Sequence, residues 1–296
     1  MCRPTRRIQY FTGSRSVFET QFMQKFPDII SSKQNPLIKE IRALSRRKNR
    51  DLSGRYFFEG WKLTREAIAA QIPIDHILVS QSWLQKNAAL TAAFPLEHTV
   101  VADTVMTHLS SQMHPEGILC VARKKEAKKG ICHKYILLDG VSDPGNMGAI
   151  IRTADAAGFD IVVCLDNCVD IYNEKTLRAS MGSCFHLPIK TNRLLQTVID
   201  ELKENKIQII GASLQGKTSL RPPQATGCLS GFALILGSES HGIRPEIEAR
   251  CDSLWKLPIL GKAESLNVAV AAGIMMYACQ SYFCNEEVCT ANGEGS

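Results

Sequence analysis

The hydrophobic positions fall into two regimes separated by a charged stretch. From Asn35 the segment NPLIKEIRALSRRKNR sets Leu37, Ile38, Ile41 and Leu44 on one helical stripe, with Asn35 as N-cap and Pro36 at the first helical position. Arg42, Arg46, Arg47, Lys48 and Arg50 cover the other faces. The pattern then alternates. It predicts a strand at Tyr56 to Phe58, a helix at Lys62 to Ala70, a strand at His76 to Ser80, helices near Trp83 and Val105, and a strand at Ile118 to Ala122. This is a small α/β domain over residues 31–125. Charged, strand-free sequence follows from Arg123 to Lys134 and predicts a linker over 126–133. Beyond it, nearly continuous Val/Ile/Leu runs at Tyr135 to Leu138, Ile161 to Leu165, Ile207 to Gly211 and Phe232 to Leu236 alternate with helical patterns. Such runs are the mark of a parallel sheet covered on both faces, so residues 134–285 are expected to form a second α/β domain. Residues 1–30 show no sustained periodicity and are expected to be a disordered extension, with Met23 an alternative start; 286–296 read as a polar tail.

Composition narrows the function classes. At 296 residues with 45% hydrophobic and 22% charged positions, the chain has the make-up of a globular protein with a sizeable core. Its longest apolar run, Val268 to Cys279, is too short for a membrane span, and no apolar segment follows the basic N-terminus to suggest a secretory signal. Eleven cysteines with no CxxC pair point to free thiols in a reducing, cytoplasmic setting, and Cys164/Cys168 lack the partner histidines a metal site would use, so no metal is expected. Charge is uneven. The first 65 residues carry 15 Lys/Arg against 5 Asp/Glu, whereas the rest carry 20 against 24. A basic front on a near-neutral body reads as a polyanion-binding segment.

One motif misleads. GASLQGKT from Gly211 to Thr218 fits the phosphate-loop pattern letter for letter and follows a predicted strand. A phosphate loop must open a helix whose amides hold the phosphates, and Pro222 and Pro223 forbid that helix beyond one turn. No later strand ends in an Asp suited to magnesium.

More telling is the chemistry gathered at the carboxyl ends of the second domain's strands, where open α/β sheets hold ligands. After the first run comes DGVSDPGNMGAIIRT, in which Asn146 reads as an N-cap and Arg152 sits on the first turns of the helix. After Leu236 comes GSESHGI, with Gly237 and Gly242 bracketing Glu239; after Trp255 comes LPILGKAESLNV, with Ser265 or Asn267 capping an Ala-rich helix. No His/Asp pair or acidic dyad accompanies them, so a hydrolase built on nucleophile and base is not indicated.

Together and in this order, the three segments closely resemble the motifs of the SpoU (TrmH-like) branch of the SPOUT RNA methyltransferases. N-x-G-x-x-x-R-T is matched by Asn146, Gly148, Arg152 and Thr153, and G-x-E-x-x-G by Gly237, Glu239 and Gly242. The third motif is matched by Leu257, Pro258, Ile259, Gly261, Ser265, Leu266, Asn267 and Val268, with Ala269 where many members have a second Ser. Phe58, Glu59 and Gly60 resemble the start of the ribosomal-protein-like RNA-binding module of many relatives. The resemblance implies a C-terminal SPOUT domain with a trefoil knot and a homodimer with the site near the interface. It implies S-adenosylmethionine held by Gly237, Leu257, Ile259, Ser265 and Leu266, and catalytic roles for Asn146, Arg152, Glu239 and Asn267. The implied product is a ribose 2′-O-methyl group on RNA, 23S ribosomal RNA first and transfer RNA second. Arg152 is either a base or a fork that grips a phosphate, and a guanidinium pKa above 12 favours the fork. A non-catalytic RNA-binding protein and a magnesium-dependent nucleotidase are the rival classes.

Overall fold

The structure is a computed structural model that describes residues 29–87, 89, 97–125, 132–224, 229–238 and 241–291, the last eleven as backbone only. The expected extension before residue 29, most of the linker and the end of the tail lie outside the described residues.

The N-terminal half begins with α1 (Pro36–Ala43), whose N-cap Asn35 accepts the Leu37 amide at 2.9 Å, a cap that contributes about 1 kcal/mol. Ile38 and Ile41 are the buried stripe. There follow α2 (Arg47–Ser53), β1 (Arg55–Glu59), α3 (Trp61–Ala69), β2 (Ile74–Ser80), α4 (Gln81–Lys86), β3 (Thr99–Val101), α5 (Asp103–Leu109) and β4 (Ile118–Arg123). The four strands form one sheet in the order β1-β4-β2-β3. Two elements went unforeseen: α2, which Gly54 ends in a left-handed C-cap at φ 67°, and the three-residue strand β3, paired parallel to β2.

The C-terminal half carries β5 (Lys134–Leu138), α6 (Pro144–Ala156), β6 (Ile161–Leu165), α7 (Glu174–Ser180), α8 (Ser183–His186), β7 (Ile189–Arg193), α9 (Leu195–Glu204), β8 (Ile207–Thr218), β9 (Gly231–Leu236), α10 (Pro245–Glu248), β10 (Ser253–Lys256) and α11 (Val268–Ala291). Its six strands are all parallel, in the order β10-β8-β9-β5-β6-β7, as the continuous apolar runs require. One face packs on α6 and α11 through residues such as Ile150, Ala154, Ala272 and Met276. The other packs on α9 and α10 through Val198, Ile199, Leu202 and Ile247. β7 was missed in the sequence because its residues IKTNR are half-buried or exposed at the sheet edge.

The phosphate-loop look-alike is an extended strand. Residues 211–218 belong to β8, whose pairing with β10 skips from Gly211↔Leu254 to Lys217↔Trp255, so Ala212 to Gly216 bulge out of the ladder. A Cβ at Gly216 would lie 2.5 Å from the Leu254 carbonyl carbon, which is why glycine stands there.

The two halves share a core. Leu177, Phe185 and Cys184 of the second pack with Tyr56, Phe58 and Leu63 of the first, and Tyr56–Tyr172 and Phe58–Phe185 ring centroids lie 4.5 and 5.1 Å apart. Arg50, only 4% exposed, binds Asp170 across this junction through Nε at 2.8 Å and Nη2 at 2.7 Å.

Candidate active site

The N-terminus of α6 is capped by Asp143, not by Asn146 as expected. Pro144 occupies the first turn and the Asp143 carboxylate accepts the Asn146 amide at 2.8 Å, a bond that holds the Asp143 carboxyl below its ordinary range. The residue before a proline favours extended backbone, so the helix starts at Pro144 and Asn146 lies inside it. Gly148 has a packing role: a Cβ there would stand 2.5 Å from the Ala179 Cβ and 2.6 Å from the Thr176 carbonyl oxygen, where α6 crosses α7.

At the end of β9 the chain folds back on itself. Ser238 and Gly242 exchange backbone hydrogen bonds of 3.0 and 2.9 Å, and Gly242 adopts φ 67°. A Cβ on Gly237 would fall 1.9 Å from the Gly242 carbonyl carbon, so the turn closes only with glycine at this position. The turn is pinned from below by Asp139 at the end of β5. This carboxylate, in a residue 3% exposed, accepts the Arg244 amide at 3.0 Å and the Arg244 Nε at 2.8 Å. Nothing in the sequence pattern singled out Asp139 or Arg244, which stand 105 residues apart.

After β10 the chain passes through Leu257, Ile259, Ser265 and Leu266 to Asn267, which opens α11. The Asn267 Oδ1 accepts the Ala269 and Val270 amides at 2.9 and 3.3 Å, so it is the cap; its Nδ2 donates to the Asn146 Oδ1 at 3.0 Å. Segments 121 residues apart are thereby tied at their side-chain amides.

These loops enclose a cavity of about 550 Å³. Gly237, Leu257, Ile259, Ser265 and Leu266, the five residues expected to hold a cofactor, all line it. Ala212 to Gln215 of the β8 bulge complete the wall, and the look-alike motif had hidden this role. Apolar walls from Leu236, Val268 and Met275 with a few polar groups, Ser213, Ser238 and Glu264, suit an adenosine bearing a charged amino-acid tail, in a volume usual for such ligands. Asn267 stands in the chain between the lining residues Leu266 and Val268, and Asn146 is tied to it by their shared hydrogen bond, though neither asparagine lines the cavity. Arg152 stands apart: it is exposed, makes no hydrogen bond or ion pair among the described residues, and lies about 9 Å along α6 and about 120° around it from Asn146. Glu239 lies outside the described residues.

Among the described residues no group of three or more His, Cys, Asp or Glu could hold a metal ion, and no helix is long and apolar enough to cross a membrane. The seven cysteines whose side chains are described form no disulfide among the described residues, and burial pushes the Cys120, Cys184, Cys251 and Cys279 thiols up to about 12, where they are poor nucleophiles.

Comparison with known proteins matches both halves of the chain. Residues 133–277 match the SpoU rRNA Methylase family, and residues 35–120 match the MRM3-like substrate binding domain. The chain is 35% identical to the 23S rRNA (guanosine(2553)-2′-O)-methyltransferase RlmP of Bacillus subtilis (strain 168) over 248 residues, 84% of this chain and 97% of that one. The AdoMet-bound rRNA methyltransferase from Sinorhizobium meliloti superposes with a TM-score of 0.73 at 29% identity, over 86% of this chain and 98% of the other. A crystallised RNA 2′-O ribose methyltransferase gives 0.71 at 28% identity, over 87% and 100%.

Proposed function

The chain belongs to the SpoU rRNA methylase family, and from that premise we propose that it transfers a methyl group from S-adenosylmethionine to a ribose 2′-hydroxyl of 23S ribosomal RNA. The observation that carries this reading is the cavity itself. A glycine-closed turn, an apolar wall and the Asn146–Asn267 bond bring three distant segments to one place at the carboxyl edge of the sheet. Residues 31–125 are read as the RNA-binding unit and 134–285 as the methyltransferase unit.

S-adenosylmethionine, when bound, supplies a methyl group already activated by its sulfonium charge. Gly237, Leu257, Ile259, Ser265 and Leu266 would hold it, with backbone at the glycine turn and side chains along the wall. The chain's remaining task is placement of the hydroxyl. The Asn146 amide, fixed by its bond to Asn267, would orient the ribose hydroxyl beside the cavity. Arg152 would grip the adjacent phosphate through its planar fork, a role its exposed, unengaged guanidinium suits, and Glu239 would anchor the neighbouring loop.

Arg152 does not line the cavity of its own chain, which supports a homodimer in which it serves the partner's site. Val270, Ile274 and Tyr277, 52%, 41% and 55% exposed, form an apolar stripe on α11 at i, i+4 and i+7, and a second copy is the occupant we propose for it. The family's knot belongs to the same reading, supported by the return of the chain from edge strand β10 to α11, which packs on α6 over the middle of the sheet.

The test is transfer of labelled methyl from S-adenosylmethionine to ribosomal RNA lacking its native modifications, followed by alkaline hydrolysis. An alkali-resistant labelled dinucleotide in 23S RNA supports the reading. Label in transfer RNA alone would move the substrate to the alternative, and cofactor binding without transfer to either RNA would defeat it.

A further inference from the structure

A second cavity, about 620 Å³, opens between the two halves of the molecule beyond edge strand β7. Arg47 of α2 and Lys124 and Lys125 at the end of β4 form one side, and Lys190 and Arg193 of β7 form the other. Three carboxylates also line it. Asp170 is consumed by the buried Arg50, so it offers little negative charge to the groove. Asp51 lies 3.6 Å from Arg47 and 2.7 Å from Lys124, and Glu201 lies 3.8 Å from Lys190 and 2.9 Å from Arg193. Each carboxylate therefore steadies two cations without neutralising both, and among the described residues Lys125 reaches a main-chain oxygen, that of Ala70 at 3.5 Å, and no carboxylate. Among the described residues five cations thus face two carboxylates not already taken by Arg50.

Guanidinium and ammonium groups carry five and three donors, so most of the N–H groups of these side chains are left over after the contacts above. The groove reaches the carboxyl end of β6 through Cys164 and Cys168, the same sheet edge on which the cofactor cavity sits. Between them lie three to four strand spacings, β7 to β9 or β8, or about 14–19 Å. A polyanion lying along that edge meets both cavities in one pass.

We propose that this inter-domain groove holds the phosphate backbone of the RNA beside the nucleotide to be methylated, with Arg47, Lys124, Lys190 and Arg193 as the phosphate-binding cations. The assignment rests on the RNA methyltransferase reading above, and it adds that the junction between the halves binds substrate as well as joining them. Asp51 and Glu201 hold the cations in place in the free protein and compete with phosphate, which gives the proposal an opposite-signed test.

The experiment uses the full chain with a fluorescein-labelled single-stranded RNA of about 20 nucleotides, titrated by anisotropy from low to moderate salt. Cofactor affinity is measured in parallel by calorimetry. Lys190→Gln/Arg193→Gln should lower the salt slope by about 1.4 and weaken binding by about 25-fold at 0.1 M salt, the effect of two lost phosphate contacts on a single strand. Glu201→Gln should instead tighten RNA binding several-fold, an outcome that simple damage to the fold does not produce. Both variants should bind S-adenosylmethionine as the wild type does. If the double variant keeps the wild-type slope, or Glu201→Gln weakens RNA binding, the groove is off the RNA path. Wild-type protein that binds RNA with the full slope yet transfers no methyl group would sink the enzymatic reading and leave the groove standing. Methyl transfer by a double variant with unchanged slope would do the reverse.

Discussion

Arg50→Ala tests how firmly the RNA-binding half is held against the methyltransferase half. The guanidinium makes three hydrogen bonds, from Nε to Asp170 and from Nη1 to the Leu44 and Ser45 carbonyls, each at 2.8 Å, and its Nη2 forms an ion pair with the same Asp170 carboxylate at 2.7 Å. The two side chains are 5% and 10% exposed, so truncation strands a largely buried carboxylate, a change that costs about 3–5 kcal/mol in comparable sites. Asp170 keeps one bond of its own, from the Tyr172 amide at 3.0 Å, and Ser45 is open to water, which moves the expected loss toward about 3 kcal/mol. For a chain of this size that is a fall in Tm of about 5 °C. Alongside Arg50→Ala, urea denaturation of Arg50→Met, Asp170→Leu and the apolar pair Arg50→Met/Asp170→Leu closes a cycle. The double variant should recover most of the loss, because a buried ion pair replaced by apolar groups of similar volume is close to neutral whereas half a pair is not. A loss below about 1 kcal/mol for Arg50→Ala would mean that the pair does not lock the junction and that the shared aromatic core alone sets it.

Gly237→Ala should abolish cofactor binding in calorimetry while circular dichroism stays native, because the added Cβ collides with the backbone at Gly242; unchanged affinity would remove the turn from the site. Arg152→Lys should slow single-turnover methylation about 100-fold at every pH with cofactor affinity kept, whereas recovery toward the wild-type rate at high pH would show that the side chain must lose a proton. Ile274→Asp/Tyr277→Asp should yield monomers in sedimentation velocity and lose methyl transfer, and a dimer that survives would place the interface elsewhere. Burial holds the Glu174 carboxyl above its ordinary range, and its Oε2 has no hydrogen-bond partner among the described residues. A raised carboxyl favours the fold when protonated and penalises it once pH rises through the folded pKa. Glu174→Gln should therefore stabilise the protein at neutral pH, with the gain vanishing in melts taken below the usual glutamate range; an equal gain at all pH values would refute the cause.

What could be read from the chain was local. Ile/Val/Leu runs marked the buried parallel strands, and the glycine, asparagine and arginine positions at their ends marked the loops, because a backbone approach as close as that of Gly237 to Gly242 leaves no room for a Cβ. Polar edge strand β7 left no such trace, and Asp143 was passed over as a cap because Asn146, three residues on, is the same kind of residue. Pairs formed across the fold were invisible for a different reason: Asp139–Arg244 and Arg50–Asp170 join positions 105 and 120 residues apart, and the periodicity that sets Arg50 on a polar helix face carries no sign that it is buried.

The boundary between the halves shows what this costs. A charged linker and a shift in charge suggest two separable domains, and deleting residues 1–125 would be the natural way to isolate the cofactor site. The fold argues otherwise, since Leu177 and Phe185, 1% and 7% exposed, pack against Phe58 and its neighbours, and among the described residues the ion-pair partner of Asp170 is Arg50. Truncation would expose that apolar face and strand that carboxylate together, so a shorter chain that fails to bind cofactor would report on the broken junction and not on the cavity. Charge-removing substitutions at half-buried groove residues such as Lys190 and Arg193 separate RNA capture from cofactor binding without opening the core, because their side chains are about one-third exposed, at 37% and 34%, and their ion pairs with Glu201 contribute little to stability.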